Sequence, residues 1–178
     1  MKQCLIVVDM QNDFIVGALG FEAASDITPV VANKIKAYQA LNHTVIYTQD
    51  THDDTYLKTI EGQHLPVKHC LKGSDGHAFH PSILAVMKPD ELVFEKDTFP
   101  SLELGQYLKD NPFDRVEICG LVSSICVLSN AVIAKSALPN ARIVVDPLAT
   151  TSFDLDMHKK TLALLEHLHI EVKTEAVT

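Results

Sequence analysis

Apolar and polar positions follow two rhythms along this chain, and they take turns. Short continuous apolar runs come first: "QCLIVVDM" at 3–10 has the length and character of a strand buried on both faces. Helical spacing follows, with Ile27, Val31, Ile35, Tyr38 and Leu41 recurring every three or four residues. "HTVIYTQD" (43–50) and "ELVFEK" (91–96) read as a second and third strand, the latter after a short helix at 81–88. "SLELGQYLKD" is helix-like, "RVEICGL" (115–121) is a fourth strand, and "SSICVLSNAVIAKSAL" (123–138) is apolar nearly all round, as in a buried helix. "ARIVVD" (141–146) and "HIEVKT" supply strands five and six. Between them Asp154 can cap a helix with apolar face Leu155, Leu162, Leu165 and Leu168. Alternating strands and helices predict right-handed βαβ units: a six-stranded parallel sheet flanked by helices on both faces, a Rossmann-like three-layer α/β/α arrangement.

In open parallel sheets, ligands bind beyond the carboxyl ends of the strands. Strand one ends at Asp9, strand two at Asp50 with His52 beyond it, and strand three at Lys96. Strand four runs into the turn before Cys126. Four strands thus deliver a reactive side chain to one edge of the sheet. Cys126 falls just inside a helix start, where unpaired N–H groups and the helix dipole favour thiolate over thiol, and a nearby Lys96 adds to that. Asp9, if close, can accept the thiol proton as general base. A carboxylate that interrupts "LIVVDM" is costly unless paired or at a wet cleft.

The stretch 51–80 shows no clear element, and a loop of that length inside a compact domain is usually functional. It is rich in metal-ligand types. Asp50 and His52 share a face on an extended chain, and Glu61, His64 and His69 follow, with His77 and His80 nearby. Mixed imidazole and carboxylate ligands suit Zn, Fe or Mn as divalent ions, although a His-rich polar loop without a metal remains open on spacing alone.

Composition narrows the partners. A length of 178 residues suits one domain, 1–178. The net charge of −8 excludes the basic stripe of a nucleic-acid binder and disfavours an anionic membrane surface. Asp9 interrupts the N-terminal apolar run too early for a signal peptide, and no stretch approaches the roughly 18 apolar residues of a span, so a cytoplasmic location is expected. Cys4, Cys70, Cys119 and Cys126 form no CxxC pair, and Cys4 and Cys119 lie in strand-like runs as small hydrophobes, so no disulfide framework is expected. No GxGxxG or GxxxxGK[ST] follows any strand, which speaks against a non-enzymatic nucleotide-binding module.

Together the motifs resemble the isochorismatase-like cysteine hydrolase superfamily, and its nicotinamidase/pyrazinamidase branch in particular, over nearly the whole chain. "LIVVDMQNDF" is similar to the segment carrying a catalytic aspartate (Asp9), "FEKDTFPS" to that carrying a catalytic lysine (Lys96), and "GLVSSICVLSNA" to the nucleophile motif (Cys126). The resemblance implies a six-stranded parallel sheet and a non-proline cis peptide at Leu121–Val122. That peptide aims the Val122 N–H, with that of Cys126, as an oxyanion hole. It also implies a divalent metal, zinc foremost with iron or manganese as alternatives, on Asp50, His52, Glu61 and His69. Position 58, a histidine in some members, is Lys58 here, and Glu61 matches the glutamate of other members, with His64 as the alternative. Phe14 matches an aromatic pocket position. This chain departs from the pattern at Ser123–Ser124, where Thr-Asp is common, and it has no Trp to line the pocket before the last metal histidine. Isochorismatases proper lack the cysteine. The implied function is release of ammonia from a small amide, nicotinamide foremost, through a thioester, in salvage of pyridine nucleotides. A related amidase or ureidohydrolase on a carbamoyl compound is the alternative. Self-association into a homo-oligomer is implied as well.

Overall fold

The computed structural model describes residues 1–177. The elements run β1 (Gln3–Val8), α1 (Asn12–Ile15), α2 (Glu22–Ala40), β2 (Thr44–Asp50), a 3-10 turn (Tyr56–Lys58), α3 (Ile60–His64), α4 (Pro81–Leu84) and β3 (Leu92–Lys96). They continue through α5 (Leu102–Asp110), β4 (Arg115–Gly120), a π-helical turn (Ser123–Val127), α6 (Leu128–Ala137), β5 (Arg142–Thr150), α7 (Leu155–His167) and β6 (Glu171–Val172). The six strands form one sheet in the order β3-β2-β1-β4-β5-β6, every pair parallel. The expected fold class is what the chain adopts. No helix among the described residues is long and apolar enough to cross a membrane.

Strand periodicity sorts the core into two layers. Cys4, Ile6 and Val8 of β1 pack with Leu104 and Leu108 of α5, Val127, Ala131 and Ala134 in and beyond the π turn, and Leu165 of α7. Leu5 and Val7 face the other way, onto Ile27, Val31, Ile35 and Tyr38 of α2 and Ile83 of α4. The sheet order reverses between β1 and β4, and the chain leaving each goes to opposite faces. A crevice therefore opens at their carboxyl ends. Gly120 makes the crossing of those ends possible. Its φ is +109°, and a Cβ there would lie 2.1 Å from the Val8 carbonyl oxygen.

Several element boundaries differ from the sequence reading. The helix read from Ile27 onward begins at Glu22 and carries Pro29 inside it. Pro29 and Ser25 are both exposed, so the carbonyl that proline leaves unpaired lies on the wet side. The helix expected over 123–138 opens as the π turn and becomes α-helical at Leu128. The 51–80 segment, read as featureless, holds the 3-10 turn and α3. The helix read at 81–88 is the single turn of α4. β5 runs on to Thr150, four residues beyond its expected end. Asp154 does cap α7, accepting from the N–H groups of Asp156 and Met157. The apolar face assigned to that helix holds only in its middle: Leu165 is buried and Leu162 packs against the core, while Leu155 is 59% and Leu168 41% exposed.

A charged network is buried under α2, away from the crevice. Lys34 Nζ meets Glu117 Oε1 at 2.5 Å and Asp146 Oδ2 at 2.7 Å. Glu117 Oε2 accepts from Tyr38 Oη at 2.8 Å and from Arg115 Nη2 at 2.6 Å. Each charge has an opposite partner, so removing one leaves another uncompensated in a low dielectric. Glu117→Ala is expected to lower stability by about 3–5 kcal/mol. Urea unfolding measures this; a loss under about 1 kcal/mol, the range of exposed pairs, would contradict the buried-network reading.

Candidate active site

The strand ends place the predicted residues around one crevice. Asp9 follows β1 with a left-handed φ of +48°, a region aspartate enters more readily than most residues. Its N–H donates to Thr48 O, and Thr48 Oγ1 donates to Asp9 Oδ1 at 2.6 Å. Asp50 and Lys96 are register partners at the ends of β2 and β3, which sets their side chains against each other. Lys96 Nζ lies 2.7 Å from Asp9 Oδ2, 2.9 Å from Asp50 Oδ1 and 3.7 Å from Cys126 Sγ. One buried ammonium thus touches two carboxylates and the thiol. The Leu121–Val122 peptide is cis, as the family resemblance implied. Around it the Ser123 N–H donates to Thr151 O, and the Ile125 and Val127 N–H groups both donate to Val122 O.

The electrostatics differ from the sequence reading in one respect. Burial pushes the Cys126 thiol well up; Lys96 opposes that, and Asp9 and Asp50 add to it. Burial thus favours the thiol form of Cys126, against the thiolate that Lys96 and a helix start alone would favour. Burial likewise raises Asp9, against Lys96 and with Asp50. Burial would lower Lys96, but Asp9, Cys126 and Asp50 outweigh it and hold the ammonium charged. A thiol beside a carboxylate of raised proton affinity, with a fixed cation between them, is an arrangement in which one proton can move from sulfur to oxygen without net change of charge.

Beyond Lys96 a second group converges. Asp50, His52, Glu61 and His69 each turn one ligand-type atom inward, and these atoms lie within 4.8 Å of one another. His52 Nε2 stands 3.0 Å and His69 Nε2 3.4 Å from Asp50 Oδ2. Glu61 Oε1 is 3.7 Å from His52 Nε2. His69 Nδ1 donates to Val67 O at 2.8 Å, so in the neutral ring the lone pair sits on Nε2 and faces the carboxylates. Glu61 Oε2 is buried with no hydrogen-bond partner. Burial and Asp50 raise the Glu61 carboxyl. Burial opposes but does not prevent the lowering of Asp50 by the two histidines and Lys96. An orphaned Glu61 oxygen, the His69 Nε2 lone pair and four ligand-type atoms within 4.8 Å of one another fit a divalent cation. These four residues can hold one.

His64, the alternative ligand, is exposed and donates to Ile60 O; it lies outside the four-residue cluster. His77 meets Thr51 Oγ1 at 2.9 Å behind the cluster. His80 accepts from Ser82 N–H at the start of α4. Phe14 packs edge-on against His69 with ring centroids 5.6 Å apart. Phe14, Asp50, Glu61, His69, Val122 and Cys126 all line one cavity of about 740 Å³.

Sequence reasoning missed four supporting residues. Gln11 Nε2 donates to Asp50 O and His77 O while its Oε1 accepts from Asp50 N–H, which fastens the end of β2. Thr48 holds Asp9. Tyr56 packs on both His52 and His69 at 4.6 and 4.9 Å between centroids. Asn130 Nδ2 donates to Cys126 O and Phe99 O, and its Oδ1 accepts from Ser101 N–H. Buried amides need such partners, but a lone sequence does not say which buried amide serves a site.

Comparison with known proteins gives the family and the fold. The chain is 28% identical over 182 residues to the nicotinamidase/pyrazinamidase of Mycobacterium tuberculosis, covering 93% of this chain and 94% of that one. It shares its fold with the pyrazinamidase of Pyrococcus horikoshii, solved in complex with zinc: TM-score 0.85 and 23% identity over 98% of this chain and 100% of the other. The N-carbamoylsarcosine amidase of Thermoplasma acidophilum is similar too, with TM-score 0.81 and 27% identity over 97% and 96% of the two chains. The family model described as the Isochorismatase domain matches residues 3–176, and the chain belongs to that family.

Proposed function

We propose that this protein is a cysteine amidohydrolase that releases ammonia from a small amide, with nicotinamide the foremost substrate. The observation that carries this reading is the meeting of Cys126, Lys96 and Asp9 beside a metal-type cluster that faces the same cavity. Asp9 takes the thiol proton as Sγ attacks the amide carbonyl. Lys96 stays charged and offsets Asp9 before the transfer and the sulfur after it. The N–H groups of Val122 and Cys126 receive the oxyanion, each worth about 3 kcal/mol. Asp9 then returns the proton to departing ammonia, and as a carboxylate again draws a proton from the water that cleaves the thioester. Asp50, His52, Glu61 and His69 would hold a divalent metal, zinc before iron or manganese, which would offer a Lewis-acid anchor for a ring nitrogen of the substrate. Phe14 bounds the ring on the His69 side.

Ammonia release from nicotinamide, pyrazinamide and a panel of small amides, with and without chelator, tests the reading. Turnover of nicotinamide that falls with chelation and returns with zinc is expected. No ammonia from any amide would sink it. In Glu61→Gln, tightly bound metal by elemental analysis should drop well below the one per chain expected of the native protein. Equal metal content in the two would remove Glu61 from the ligand set. A second reading, an amidase on a carbamoyl or ureido compound, is favoured by the similarity to the carbamoylsarcosine enzyme. Fully active metal-free protein would select it.

A further inference from the structure

The cavity above Cys126 is much larger than a single-ring carboxamide requires. Its volume of about 740 Å³ lies among sites that enclose drug-sized ligands, roughly 300–1,000 Å³. Its two ends differ in chemistry. Cys126, Asp50 and His69 form a buried, polar inner end. The outer wall is built from Leu19, Phe21, Ile60, Leu65, Phe99 and Phe153. These come from the segments after α1, in and beyond α3, after β3 and after β5, and none carries a charge. Phe21 and Phe153 meet edge-to-face at 6.1 Å. Ile60 and Phe153 are 71% and 66% exposed. In a protein of net charge −8, a wall that is aromatic and aliphatic apart from His64 and Thr98, around the approach to Cys126, is a specific feature.

Resting on the amide-hydrolysis reading, we infer that the preferred substrates are aryl carboxamides whose ring carries a neutral apolar substituent of about butyl to phenyl size, seated against Phe21, Phe99 and Phe153. The substituent belongs on the acyl side. Asp9, which protonates the leaving nitrogen, is fully buried behind Cys126 and does not line the cavity, so the nitrogen faces inward. The ring must then point its far edge toward the apolar wall.

The test is a series of nicotinamides and pyrazinamides with methyl to butyl groups on ring carbons, each normalised to its unsubstituted parent. In the native protein kcat/KM should climb up to about fourfold per added methylene. In Phe153→Ser and Phe21→Ser the climb should flatten, and N-butylnicotinamide should show no gain. A flat or falling native series overturns the inference, as does an unchanged climb in both variants. Calorimetric binding of the same series to Cys126→Ala separates the two readings. If no amide is turned over yet affinity rises with chain length, the amidase reading fails and the apolar site stands. Turnover of the parent amides with affinity and kcat/KM both flat leaves the amidase and removes the apolar site.

Discussion

Cys126→Ala should lose ammonia release from nicotinamide by about 10,000-fold or more, because Cys126 is the one thiol among the described residues that line the cavity. Removing a nucleophile leaves only binding and oxyanion stabilisation, which accounts for the residual rate. The fold should survive. Sγ is a small buried atom, its Lys96 contact is long at 3.7 Å, and Lys96 keeps both carboxylates. Denaturant unfolding and near-UV spectra report the fold, and an ammonia assay reports the chemistry. Retention of a tenth of the native rate by a correctly folded variant would mean that Cys126 is not the nucleophile.

Asp9→Asn tests the proton path with an isosteric change. Turnover is expected to fall by about 1,000-fold or more, the scale of a positioned general acid–base. The thiol supplies a second readout that a purely structural Asp9 would not move. Burial raises Cys126 first, Lys96 lowers it, and Asp9 raises it by its charge and its hydrogen bond. Neutralising Asp9 deletes a raising contribution and leaves Lys96 with Asp50 alone. The Cys126 midpoint must therefore move to lower pH. The pH–rate profile of iodoacetamide alkylation should shift down in the variant even as catalysis collapses. A profile that stays in place or moves up would contradict the assigned contact.

The architecture was legible because two periodicities were. Continuous apolar runs marked strands covered on both faces, and their alternation with helical spacing left a parallel sheet as the consistent arrangement. The convergence of Asp9, Asp50, Lys96 and the Cys126 turn followed from the rule for strand ends. The pairing of Asp50 with Lys96 in register was not readable, since register depends on the partner strand. The π turn was hidden because an all-apolar stretch gives no face by which to tell one helical pitch from another. α3 carried a readable signal: Thr59 stands immediately before the helix and accepts from Gly62 N–H three residues on, which is the N-cap pattern. The upward push on the Cys126 thiol was beyond the sequence, because burial and the second carboxylate, Asp50, are three-dimensional facts. So was the apolar wall, assembled from four distant segments.

Asn130 has a consequence for how substrate range can change. Its single amide group ties the backbone at Phe99 and Ser101 to the carbonyl of Cys126. The strip of chain that carries part of the selective wall is thus anchored to the reactive residue. Exchange of the side chain at position 99 recolours the wall while the main chain beneath it stays fixed, so Sγ keeps its aim. On the amidase reading, substrate range at this wall is then expected to change through side-chain replacement at position 99 without displacing Cys126.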